Sequence, residues 1–274
     1  MTMSATAPKA DAPVEEKMQG RKNGGVAEII FNNPARHNAV SLEMWQRMQN
    51  LLAEFAADPE VRVLVVSGAG GKAFVSGADI SKFESERASE EAVKVYNATS
   101  AAAYEQLTGF PKPTIAKIQG YCIGGGANVA VCCDLRVCTA DAKFGIPAAK
   151  LGLGYGHGGF GRLANIVGPS RAMELFYTAR QVTSQEAYEM GLVNRVVPSD
   201  DIHSAVDEWT TMIANNAPLT IATIKAAAQE LAKPESQRNL ARVDKMVLDC
   251  FGSADYIEGR RAFMEKRKPK FQGK

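Results

Sequence analysis

The chain has 274 residues, 46% of them hydrophobic, which is enough for one sizeable core or a core with an appended helical domain and excludes a mini-protein. Thirty-two Lys and Arg oppose thirty Asp and Glu; the formal charge of +2 and the scattered basic residues, clustered only near the C-terminus, ask for no nucleic-acid partner. The five cysteines lie mostly in hydrophobic segments and match no common zinc spacing, so they read as reduced thiols of a cytoplasmic protein.

From the N-terminus, residues 1–20 are rich in Ala, Pro and charge and lack the apolar stretch of a signal peptide, so they are read as a disordered tail. Val26 to Phe31 is the first expected strand. Asn32, Asn33 and Pro34 turn the chain, and Ser41 is placed to N-cap a helix whose apolar positions from Leu42 to Phe55 keep helical spacing until Asp58 and Pro59 stop it. The β-branched run Val61 to Val66 predicts a buried strand feeding a glycine-rich loop, Gly68 to Gly77. A helix from about Ser89 to Leu107 and a strand over Thr114 to Ile118 follow. Next come three consecutive glycines, Gly124 to Gly126, an apolar segment from Ala127 to Cys133, and a strand from Leu135 to Thr139. A strand, a glycine turn and a helix start in this order aim backbone N–H groups at a ligand.

Beyond Ser170 the pattern changes to helices joined by short turns. Thr183 and Glu186 are spaced as a capping box, Leu192 to Val197 is the one late strand expected, and four helices lie between Ile202 and Lys266. These readings divide the chain into the tail (1–20), a mixed α/β core (21–200) and a helical domain (201–274). Each apolar run is interrupted within about ten residues, against the ~20 a membrane span needs, so no membrane partner is expected.

Two turns carry the chemistry: Val75-Ser76-Gly77-Ala78-Asp79-Ile80, and Gly120 to Asn128 with its three glycines. Singly, either is an ordinary tight turn. Together, and followed by Phe144-Gly145-Ile146-Pro147 and Gly156-His157-Gly158-Gly159, they are far more specific, and the sequence resembles the crotonase superfamily from about Val26 to the C-terminus. The resemblance implies a crotonase-like spiral of ββα units with a C-terminal helical trimerisation domain, assembled as a homotrimer or a dimer of trimers. It implies an acyl-CoA thioester as substrate, with coenzyme A part of that substrate and no prosthetic group or metal. Ala78 and Gly125 match the two backbone donors of the family's oxyanion hole. Arg36, His37 and Ala39 fall in its early CoA-contacting stretch, Asp79 and Ile80 in the first oxyanion loop, and Phe263 and Lys266 in the C-terminal helix that reaches the nucleotide.

The chain departs from the hydratases of this family at two positions. Their two glutamates, which hold and activate water, fall on Asn128 and Ala148, and neither residue is a useful acid or base near pH 7. Tyr155 and His157, in a loop that in relatives passes close to the acyl group, are the candidate replacements, with Asn128 able to orient water or substrate. A decarboxylase of the superfamily has a tyrosine in a similar loop, though a histidine where this chain has Ala78. Three readings stay open: a lyase or isomerase acting on an enoyl-CoA, a decarboxylase or thioester hydrolase using the same hole, and a non-catalytic acyl-CoA binding protein.

Overall fold

The computed structural model describes residues 12–82, 86 and 88–274, with Ile80 described by its backbone. A short helix α1 (Val14–Lys17) leads into β1 (Met18–Asn23), which pairs antiparallel with β2 (Val26–Phe31), Met18 opposite Phe31. Residues 14–20 are thus ordered elements where the sequence suggested tail, and the first strand lies before Val26. Only Met18 of this strand is buried and its last four residues are exposed, so an edge strand at solvent lacks the alternation by which strands are read. Residues 1–11 of the expected tail lie outside the described residues.

Helix α2 (Leu42–Ala57) buries the face carrying Met44, Trp45, Met48, Leu51, Leu52 and Phe55. Ser41 holds the N-cap position with extended backbone, but its side chain makes no capping bond; the Leu42 N–H donates instead to Glu86 Oε2 at 3.1 Å. A distant carboxylate thus meets one of the helix's free donors, and burial pushes its pKa up.

Three successive ββα units follow. They are β3 (Val63–Gly68), β4 (Ala73–Val75) and α3 (Glu90–Thr108); β5 (Thr114–Ile118), β6 (Tyr121–Ile123) and α4 (Gly125–Cys132); β7 (Leu135–Thr139), β8 (Lys143–Gly145) and α5 (His157–Val167). The first strand of each unit joins a six-stranded sheet, and the second joins a separate four-stranded sheet. Each unit therefore advances both sheets by one strand in parallel register, which makes the chain a spiral. After α6 (Pro169–Thr178), β9 (Gln181–Thr183) closes the small sheet antiparallel to β8; after α7 (Ser184–Glu189), β10 (Arg195–Val197) closes the large one beside β7. Strand β9 is a second late strand where the sequence suggested one, and β4 lies inside the stretch read as loop. Three-residue strands are too short to show a period.

The main core fills the space between the sheets and helices α2 to α6. A second, smaller core on the other face of the large sheet sets Val63, Val65, Ile115 and Val137 against helix α8 (Ile202–Asn215). Cys122, Cys132, Cys133 and Cys138 are buried thiols of the main body, and burial pushes the pKa of each upward. Helices α9 (Pro218–Leu231), α10 (Leu240–Gly252) and α11 (Ala254–Met264) follow; Lys225 ties α9 to the spiral through Asp134 Oδ2 (2.8 Å) and the Lys112 carbonyl (2.7 Å). Helix α10 buries none of its residues, and Leu248 and Phe251 are 70% and 60% exposed. No helix among the described residues is long and apolar enough to cross a membrane.

Candidate active site

The turn after β4 is shaped by a one-residue parallel bridge between Val40 and Ala78. Val40 donates to the Gly77 carbonyl (2.9 Å) and accepts from the Asp79 N–H (3.0 Å). In a parallel bridge of this kind the residue between the two bonded groups turns its own N–H to the opposite side. The Ala78 N–H therefore points away from Val40. Gly77 makes the reversal possible with φ of +111°.

The second turn opens helix α4. Gly124 takes φ of +57°, its N–H donates to the Gly145 carbonyl at 2.8 Å, and Gly125 becomes the first helical residue, whose N–H has no acceptor within the helix. Gly126 must be glycine: a Cβ there would lie 2.0 Å from the Val75 carbonyl oxygen. The two turns abut. A Cβ built on Gly125 would stand 3.6 Å from Gly77 Cα and 3.9 Å from the Gly77 carbonyl carbon, the atom bonded to the Ala78 nitrogen. Helix α4 adds the positive end of its dipole at this point.

The early stretch packs against the first turn. Asn38 is fully buried with φ of +57°; its Oδ1 accepts from the Asn33 N–H (2.8 Å) and its Nδ2 donates to the carbonyls of Ala69 (3.0 Å) and Ala73 (2.7 Å). It clamps the loop before β4 to the turn carrying Arg36 and His37. Arg36 pairs with Asp79 at 3.2 Å, while Asp79, buried, also accepts from the Ser81 N–H and hydroxyl. Asp79 is thus held as a loop fastener. His37 is exposed and meets the Tyr121 ring edge-on at 6.2 Å; Ala39 is buried, and Ile80 opens a 3-10 turn with Lys82 at its end.

Of the residues expected at the acyl end, Asn128 lies one turn into α4, half-buried, beside a small apolar cleft shared with Ile146 and Leu163. Ala148 is buried in the 3-10 turn Pro147–Leu151. Tyr155 is half-buried, packs edge-on against Phe176 (4.6 Å) and lies so close over Gly159 that a Cβ there would stand 2.5 Å from its ring. Burial pushes its phenol pKa well above the usual value, so near neutral pH it is a protonated donor and not a base. His157 is exposed on the first turn of α5 and lies along Gly161; the structure does not bring it together with Tyr155 as a buried pair.

Two residues here escaped sequence reasoning. Tyr104, buried on α3, donates to the Gly125 carbonyl at 3.4 Å and packs edge-on against Trp45 at 5.0 Å. Arg162, one turn along α5, places its guanidinium 5.4 Å from the centre of the Tyr104 ring. Tyr104 falls at a helical spacing that marks it as core, and Arg162 carries no motif of its own. At the far C-terminus Phe263 is 84% exposed and Lys266, also exposed, follows α11 with φ of +54°. An apolar cavity of ≈ 620 Å³ lies among helices α9 to α11, with Phe263 on its wall.

A ββα spiral with two backbone turns meeting at a helix start has the architecture of the crotonase class. The family model for enoyl-CoA hydratase/isomerase matches residues 21–274, and the chain belongs to that family. It is 34% identical to a crotonyl-CoA hydratase of Syntrophomonas wolfei over 92% of this chain and 96% of that protein, and 34% identical to a carnitinyl-CoA dehydratase of Proteus mirabilis at the same coverage. A solved structure of an enoyl-CoA hydratase/carnithine racemase from Magnetospirillum magneticum superposes with a TM-score of 0.90 at 34% identity, over 94% of this chain and 96% of that one. The protein is accordingly an acyl-CoA enzyme.

Proposed function

We propose that the chain holds an acyl-CoA thioester with its carbonyl oxygen between the N–H groups of Ala78 and Gly125, and performs lyase or isomerase chemistry on an enoyl-CoA. The observation that carries this reading is the abutment of the Gly77 and Gly125 turns, with Ala78 N–H turned away from Val40 and Gly125 at a helix start. Proton removal or nucleophilic attack next to a thioester moves negative charge onto its oxygen. Two fixed donors meet that charge without reorganising, and losing one typically costs about 3 kcal/mol. Arg36, His37 and Ala39 at the first turn, with Asp79 and Ile80 beyond it, lie along the path to the CoA phosphates. Phe263 and Lys266 reach the nucleotide end from a neighbouring subunit. Assembly as a homotrimer or a dimer of trimers in the cytoplasm belongs to the same proposal; the exposed Leu248 and Phe251 of α10 support assembly without fixing its order.

In this reading Asn128 and Ala148 replace the family's glutamate pair, so ordinary two-carboxylate hydration is weak and the remaining proton chemistry falls to Tyr155 as a neutral donor and to His157 from the solvent side. Decarboxylation or thioester hydrolysis in the same hole is the second reading. It is favoured by the apolar setting of Asn128 and Ala148, because neither reaction requires that glutamate pair.

The test is mass spectrometry of the purified protein against enoyl-, β-keto- and malonyl-type CoA thioesters, alongside Tyr155→Phe and His157→Ala. A water adduct or a shifted double bond supports the first reading; loss of carbon dioxide or free CoA supports the second. Saturable CoA binding without turnover of any thioester would reject both in favour of a binding protein.

A further inference from the structure

Two buried polar atoms behind the Gly125 turn, the Tyr155 hydroxyl and Arg162 Nε, have no hydrogen-bond partner among the described residues. Buried donors of this kind are almost always satisfied, and an orphan one costs about 1 to 3 kcal/mol. Both belong to one cluster. The Arg162 guanidinium stands over the Tyr104 ring, whose hydroxyl reaches the Gly125 carbonyl, and Tyr155 precedes helix α5, on which Arg162 sits. Arg162 forms no ion pair with a carboxylate of the described residues. Its Nε is sealed, while the side chain as a whole is only half-buried. The surrounding Tyr104 and Cys132 are neutral, and burial holds both protonated.

We infer that Arg162 and the Tyr155 hydroxyl form a recognition subsite for a carboxylate carried on the acyl group of the CoA thioester. This rests on the acyl-CoA reading of the Ala78 and Gly125 turns. A guanidinium presents a planar fork of donors that matches a carboxylate, and the protonated phenol adds another donor from the side. A cation without a protein counter-ion favours an anionic acyl group over an uncharged one of the same length, because the substrate supplies the missing charge. Arg162 and Tyr155 act here as specificity-determining groups, Tyr155 in addition to the proton donation proposed above.

The experiment measures Kd for CoA, butyryl-CoA and succinyl-CoA, the two acyl groups having equal chain length and differing in the terminal carboxylate. It uses the wild-type full chain, Arg162→Met and Tyr155→Phe. The wild type is expected to bind succinyl-CoA at least about tenfold more tightly than butyryl-CoA. Arg162→Met should weaken succinyl-CoA roughly 10- to 100-fold, as expected for hydrogen bonds to a charged group, and leave CoA and butyryl-CoA within about twofold. Tyr155→Phe, which keeps the ring in place, should weaken succinyl-CoA by about fivefold with the same selectivity. A wild type that does not distinguish the two acyl groups overturns the inference, as does a variant that weakens both equally. If thermal melting shows that Arg162→Met does not fold, the selectivity of Tyr155→Phe decides. Failure of CoA itself to bind wild type would reject the acyl-CoA reading beneath the inference, a result distinct from loss of carboxylate selectivity.

Discussion

The two ends of the site are made from different material. At the Gly77 and Gly125 turns every decisive group is backbone, fixed by a parallel bridge, a helix start and a glycine whose replacement would drive a Cβ to 2.0 Å from a carbonyl oxygen. At the other end, from Ala148 to Arg162, the decisive groups are side chains on a short 3-10 turn, a loop and the first turns of a helix. Backbone geometry follows from packing and survives most substitutions, whereas side-chain chemistry changes with one residue. A backbone frame can therefore persist while the side-chain chemistry beside it diverges, and a family resemblance speaks for the first more strongly than for the second.

The comparison breaks first at the backbone end. Gly126→Ala should cost several kcal/mol, because the clash is with main-chain oxygen that cannot rotate away, and overpacking of lesser severity already costs about 1 to 3 kcal/mol. Urea denaturation with far-ultraviolet circular dichroism measures it; a loss below about 1 kcal/mol would mean that the turn yields and is not a rigid frame. Asn38→Ala is the next largest effect. It strands the Asn33 N–H and removes both donors from the Ala69 and Ala73 carbonyls inside the fold, for an expected loss of about 3 kcal/mol by the same denaturation.

The side-chain end is tested by placing carboxylates at Asn128 and Ala148. If Asn128 and Ala148 stand where the hydratases of the family carry their two glutamates, then the double variant Asn128→Glu/Ala148→Glu on the unaltered frame should raise crotonyl-CoA hydration by roughly 100-fold over wild type, the lower end of what general acid–base catalysis provides. The readout is loss of enoyl absorbance, with thermal melting to confirm folding, since Ala148 is buried. A folded double variant with unchanged hydration would show that the frame itself differs from that of the hydratases.

The same contrast explains what could be read from the sequence. Long periodic elements were legible: the α2 face from Met44 to Phe55 and the α8 helix from Ile202 to Asn215 stand as expected, as does the Thr183 and Glu186 capping box. The two glycine turns were legible because glycine is conspicuous where backbone must reverse or approach closely. Strands β1, β4 and β9 were not, the first being exposed and the others only three residues long. Helix α2 is met by a carboxylate forty-odd positions away in sequence, which no local signal gives, and Ser41 only marks its start. Tyr104 comes to Gly125, and Arg162 to the Tyr104 ring, through tertiary packing of α3 and α5; periodicity marks Tyr104 as core and says nothing of the turn it touches.

The smallest effect links a surface charge to the backbone end. Glu186 accepts from the Thr183 N–H and hydroxyl and pairs with Arg180; the backbone bond first, then the arginine, lowers its pKa to about 2. A carboxylate with a depressed folded-state pKa contributes stability that is complete above its unfolded value of about 4.5 and is lost as pH falls towards about 2. Thr183 ends β9, which pairs with β8, and β8 ends in the Gly145 whose carbonyl holds the Gly124 N–H. The stability of the Gly125 turn should therefore fall slightly in acid through this edge. Melting temperatures of wild type and Glu186→Gln should differ most near pH 6 and converge between about pH 4.5 and 2, with the wild type the more stable at the higher pH. A difference that stays constant through that window would show that the box acts by shape alone, and that the small sheet passes no charge-dependent effect to the glycine turn.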